Sequence, residues 1–228
     1  MSATRFHKEV KLPRVAGFFL AVAFVLAHSL AQATLITFGF QGNVIFVTSS
    51  LSGTFNTTQA ISGTYTFEST TPNVLAPDPN FGFYDGALTA LSFTVNGYTG
   101  TLGSGGTNNI IVLNDFLAQD RYQVNNDPFS GSSVNGFSPG FFALDLVDPT
   151  QTAFSTNALP LVPPDLALFS TTPPSRQITL QFINSAGANA FVIANLNSLA
   201  AVPEPSVLIL MVTGLVGLFA VIGRKTVR

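Results

Sequence analysis

Residues 88–102 read LTALSFTVNGYTGTL, and this stretch decides the fold class. Leu91, Phe93 and Val95 alternate with Ser92 and Thr94. That is the two-residue period of a strand with one apolar and one polar face. Asn96-Gly97 follows, a pair that tolerates the positive φ angles of a two-residue hairpin turn. Such a turn sets Val95 opposite Tyr98 and Leu91 opposite Leu102. Both pairs are apolar, so one register buries the same face of both strands. A lone hairpin is marginal in water, so other strands have to cover it.

Working outward from the hairpin, the sequence supplies them. Residues 35–47 and 61–67 are rich in β-branched and aromatic side chains, and 110–113 is a short apolar run. Phe142, Leu144 and Leu146 share one strand face, as do Ile178, Leu180 and Phe182, and 191–196 is a last strand. Ser52-Gly53-Thr54-Phe55 and Ser62-Gly63-Thr64-Tyr65 form a near repeat, read as two strand starts in a meander. Gly, Asn, Asp and Pro clusters separate the runs. The longest break, 148–177, holds six prolines, among them Pro163-Pro164 and Pro173-Pro174. No segment of the middle keeps a helical period over three turns. The expected fold is all-β: one antiparallel β-sandwich or jelly-roll-like domain over residues 34–200.

Charge is sparse in this middle region and unevenly signed. Arg121 and Arg176 stand against Glu68 and eight aspartates, a net charge of −7. A surface this acidic repels phosphate backbones, which excludes a nucleic-acid partner. His7 and His28 both lie before residue 34, and residues 34–200 hold no His, Cys or Lys. That removes His-based triads, thiol nucleophiles, Schiff-base lysines and ordinary zinc sites. The expectation is a non-enzymatic domain. Two oxygen-based chemistries pass the filter. One is a carboxylate pair of the glycosidase kind, Glu68 with an aspartate. The other is calcium, for which Asp115, Asp120 and Asp127, with Asn114, Asn125 and Asn126, are weak candidates. Tyr65, Tyr84, Tyr98 and Tyr122 are candidates for a sugar-binding face, with core packing as the competing use.

The two ends of the chain are of a different character. Arg5, Lys8, Lys11 and Arg14 precede an apolar run over 15–31 that closes on Ala31-Gln32-Ala33. This is the layout of a secretory signal peptide, 1–33, with signal peptidase cutting after Ala33. At the other end Pro203-Glu204-Pro205 precedes an uncharged run over 207–222, then Arg224, Lys225 and Arg228. Sixteen helical residues reach about 24 Å, enough for one transmembrane helix with modest bilayer thinning. The basic tail sets the orientation by staying on the cytoplasmic side of the inner membrane. Both prolines hold the triplet extended and outside the helix interior. A plain anchor with a Pro-rich hinge is the alternative reading.

The ordered set of Pro203-Glu204-Pro205, apolar run and basic end over residues 201–228 resembles the PEP-CTERM sorting signal. The stretches 61–67 and 84–88 also resemble domains found in proteins with that tail, a group with no biochemical activity to carry over. The resemblance implies export from a Gram-negative bacterium, an inner-membrane intermediate, and processing by exosortase at the Pro-Glu-Pro motif. It further implies a final place at the cell surface or in an extracellular matrix, where exopolysaccharide is a partner. The alternative function is an extracellular carbohydrate-binding, or carbohydrate-acting, β-sandwich module.

Overall fold

The computed structural model describes residues 34–203. Eleven strands form in chain order: β1 Leu35–Val47, β2 Ala60–Glu68, β3 Phe81–Asp85, β4 Leu88–Val95, β5 Tyr98–Thr101, β6 Thr107–Phe116, β7 Gln119–Asp127, β8 Ser130–Gly131, β9 Phe137–Asp148, β10 Arg176–Asn184 and β11 Asn189–Ala201. The β4–β5 hairpin has the expected register. Val95 is paired with Tyr98, Leu102 N–H donates to Leu91 O, and Asn96 and Gly97 both take positive φ. The first SGT segment departs from expectation. Ser49–Leu51 is a 3₁₀ turn that carries Ser52–Thr54 around a bend and drops Phe55 into the core.

The all-β expectation holds, but the two-sheet sandwich does not. Every strand joins one antiparallel sheet, in the order β3-β6-β7-β9-β10-β11-β1-β2-β4-β5-β8, curled into a half-barrel. The reason lies in β11. This 13-residue strand pairs with β10 over Gln177–Ile183 and with β1 over Phe38–Val47, stitching together what would otherwise be two sheets. Register shifts in β1 at Gln41/Gly42 and Val44/Phe46, in β2 at Thr66/Phe67 and in β10 at Leu180/Phe182 add local twist and bend the sheet. Curling brings the inner faces of the two halves together.

The core is therefore aromatic and spans the curl. Phe142 of β9 meets Phe40 of β1 at 5.9 Å and stacks on Phe93 of β4 at 5.3 Å between ring centroids. Phe55 and Phe182 close one end, 5.8 Å apart. Small residues make room for these rings. A Cβ on Gly63 would press on the Phe40 ring, and one on Gly100 would run into Phe93.

Tyr65 and Tyr122 face each other across the interior with hydroxyls 3.0 Å apart, both fully buried. Burial pushes both phenols well above their ordinary value. Each hydroxyl is the other's partner, so Tyr65→Phe or Tyr122→Phe alone orphans one buried group and costs about 1–3 kcal/mol. The double Phe variant is expected to cost clearly less than the sum, a coupling that urea unfolding of all four proteins measures.

Candidate functional site

The features with a functional reading gather at one end of the curled sheet. β1 begins there and β11 finishes there, side by side and antiparallel, with Phe38 opposite Ala201. Val202 N–H donates to Thr37 O at 2.9 Å, and Ser69 N–H donates to Thr34 O at 3.1 Å. The sheet thus holds the chain up to Val202, one residue beyond β11. Pro203, with no N–H to give, comes next. The first residue of the Pro-Glu-Pro triplet thus follows the last sheet hydrogen bond directly, at the same end at which residue 34 enters. Strand β11 reaches one residue past the expected domain boundary at 200.

A protein-family model, the PEP-CTERM protein-sorting motif, matches residues 201–225. The chain carries a PEP-CTERM sorting motif. This motif marks an exported protein sorted toward the cell envelope or surface, with exosortase as its processing partner. No curated protein and no solved structure matches the chain. The PEP-CTERM match covers Pro203, which is described, together with Glu204, Pro205, Arg224 and Lys225, which are not. Ala31 and Ala33 of the signal peptidase site, the expected helix 207–222 and Arg228 likewise lie outside the described residues. Among the described residues no helix is long and apolar enough to cross a membrane.

The carboxylates of the β domain are spread rather than gathered. Asp115 and Asp120 do come together, because Asp115 N–H donates to Asp120 Oδ1 at 2.8 Å across the β6–β7 turn. Asp127 lies at the opposite end of β7, about 23 Å along the strand from Asp120. The three calcium candidates are therefore not one site. Among the described residues no three acidic groups stand together in a metal-holding arrangement. Asp120 is fully buried and its second oxygen accepts from Phe154 N–H at 2.8 Å. Glu68 accepts from Thr70 Oγ1 at 2.8 Å.

The closest carboxylate neighbours by strand pairing are Asp120 and Asp148, opposite one another in β7 and β9. Both serve the fold. Asp148 accepts at Oδ1 from Thr150 N–H and Oγ1, and at Oδ2 from Thr152 N–H and Oγ1 and Ala153 N–H. Burial pushes its carboxyl up, but the hydrogen bonds from Thr150 and Thr152 outweigh this and bring it down to about 2. Together the two aspartates clamp the start of the long 149–175 connection over the end of the sheet. An Asp-x-Thr-x-Thr spacing after a strand was the available signal for this clamp.

The remaining polar candidates are also accounted for. All four tyrosines point inward. Tyr84 donates to Asn157 O at 2.7 Å and Tyr98 to Ser132 O at 3.1 Å, and burial lifts the Tyr98 phenol to about 12. Arg121 forks onto both oxygens of Asp145, at 2.7 and 2.6 Å. Arg176 donates to Phe169 O.

Sequence reading missed a feature on the outer face. Pairing aligns Gln123 with Asp145, Asp145 with Gln177, Gln177 with Asn195, and Asn195 with Asn43. These five side chains form a polar row across β7, β9, β10, β11 and β1. The side-chain oxygen of Asn195 is buried and has no hydrogen-bond partner, as is that of Asn125, two residues along β7 from Gln123. The row is invisible in sequence because its members are up to 152 residues apart and only register aligns them.

Proposed function

We propose that this chain is a non-enzymatic surface or extracellular-matrix protein of a Gram-negative bacterium. It is exported by a cleaved signal peptide, held at the inner membrane by helix 207–222, and processed by exosortase at Pro203-Glu204-Pro205. The observation that carries this reading is the sorting motif matched at residues 201–225, which begins where the last strand ends. Adjacent entry and exit points support it further, since a domain so tethered can fold while both flanking segments remain in one membrane. The His-free, Cys-free and Lys-free middle supports the non-enzymatic part.

Intact-mass measurement of surface-extracted protein tests the reading. The expected species lacks residues 1–33 and the residues beyond the Pro-Glu-Pro motif, and Glu204→Ala is expected to accumulate an uncut, membrane-held form. Recovery from the surface of the full 24.0 kDa chain would count against processing at both ends.

A second reading rests on the outer polar row. Amide and carboxylate groups in a line across five strands suit the hydroxyls of an extended polysaccharide. On this reading the domain is a carbohydrate-binding module in the matrix. Glycan-array screening with and without calcium separates the two readings. Binding abolished by Gln177→Ala favours the module, and silence across the array leaves the first reading.

A further inference from the structure

The exposed apolar side chains of the β domain are polarised along its length. Leu35, Leu117, Leu161, Val162 and Val202 are between 40 and 80 % exposed. Leu35 opens β1, Leu117 tips the β6–β7 turn, Leu161 and Val162 lie in the 149–175 connection, and Val202 follows β11. Strand pairing places Leu35, Leu117 and Val202 toward the end where β11 runs into Pro203, and Leu161, with Val162 next to it in the chain, is placed there by the groove it shares with Leu35 and Val202. Leu35, Leu161 and Val202 border one groove of about 390 Å³, with Ala201 in its wall. Among the described residues, the exposed large apolar side chains toward the far end are Ile45, Phe46 and Ile183.

We infer that this apolar end is a membrane-facing foot, seated in the lipid interface beside the C-terminal helix. The inference rests on the reading that residues 207–222 hold the chain at a bilayer. The occupant follows from chain length. Val207 follows Val202 by five positions, so the foot stands within about 18 Å of the start of the apolar run. An exposed Leu or Val at that distance has hydrocarbon within reach, and the apolar groove of Leu35, Leu161 and Val202 is otherwise a liability on a secreted surface. Charge argues in the same direction. The net −7 of the domain, with Glu68 paired opposite Leu35, disfavours anionic headgroups. Apolar contact rather than electrostatics therefore seats the foot.

The chain has no cysteine, which makes site-specific labelling unambiguous. Full-length Leu161→Cys, Val162→Cys and Ala186→Cys, each carrying a bimane label, are reconstituted into phosphatidylcholine vesicles whose acyl chains bear bromine. Ala186 lies in the β10–β11 turn, about 43 Å up β11 from the foot. The labels at 161 and 162 are expected to lie about 5–10 Å into the interface and to lose emission to the bromines, while the label at 186 does not. Val162→Glu in the Leu161→Cys protein is expected to restore the emission. Protein that floats with the vesicles but shows equal, unquenched emission at all three sites overturns the foot and leaves the anchor standing. Protein that does not float overturns both.

Discussion

Phe142→Ala lowers the unfolding free energy of the β domain by about 3–5 kcal/mol. The side chain is fully buried at the point where the two halves of the sheet meet. Its ring stacks on Phe93 at an interplanar angle of 22° and leans on Phe40 at 43°. Both neighbours are themselves wedged, Phe40 over Gly63 and Phe93 over Gly100, so neither swings freely into the space left by truncation. A cavity that cannot collapse costs the lost transfer energy and the lost dispersion contacts together. Set against a usual domain stability of about 5–15 kcal/mol, the loss is a large fraction of the total. Phe46→Ala, at a site 48 % exposed, is the matched control and is expected to stay within about 0.5 kcal/mol. Urea unfolding followed by tyrosine fluorescence measures both, since the chain has four tyrosines and no tryptophan. A Phe142→Ala cost below about 1 kcal/mol would mean that the sheet does not close on itself at this ring.

Asp148→Asn is the second large effect, expected at about 2–4 kcal/mol at neutral pH. The carboxylate accepts five hydrogen bonds, three of them from backbone N–H groups of Thr150, Thr152 and Ala153. An amide in its place has one acceptor oxygen, and its NH₂ group then faces donors. The start of the 149–175 connection loses its clamp. The same carboxyl carries a pH dependence with a defined sign. Its folded-state value of about 2 lies below the unfolded one, so folding releases its proton. The stabilisation is complete above about pH 4 and drains away as pH falls through about 2. Unfolding free energies between pH 5 and about pH 2 are expected to fall steeply in the wild type and less steeply in Asp148→Asn. Parallel curves would remove Asp148 from the account of acid sensitivity.

Strand by strand, legibility followed how closely a segment kept an apolar face. β1 is the expected 35–47 run to the residue, and the β4–β5 hairpin has the expected partners. The strands left unread are β3, β7 and the two-residue β8. β7 is central to the sheet, yet its inward residues are Asp120, Tyr122, Val124 and Asn126. Two of those four positions are polar, so the segment reads as turn-forming and metal-ligating. Asn126 is held inside because its amide serves Gly103 N–H and Thr107 O. No local rule foresees a buried polar residue whose partners lie about 20 residues away in sequence.

What the amino-acid order determined alone was the inward face of the strands with apolar alternation, the hairpin register and the address of the protein. All three depend on neighbours within a few residues: alternation, turn chemistry, and the succession of Pro-Glu-Pro, apolar run and basic end. Tertiary structure decided the rest. It made one curled sheet instead of two, because β11 is long enough to pair with β10 and β1 at once. It separated Asp127 from Asp115 and Asp120, lined up the outer polar row, and gathered the exposed apolar residues at the end where the sorting motif leaves. Each of these is set by register between distant strands, and register is a property of the folded pair that neither strand carries by itself.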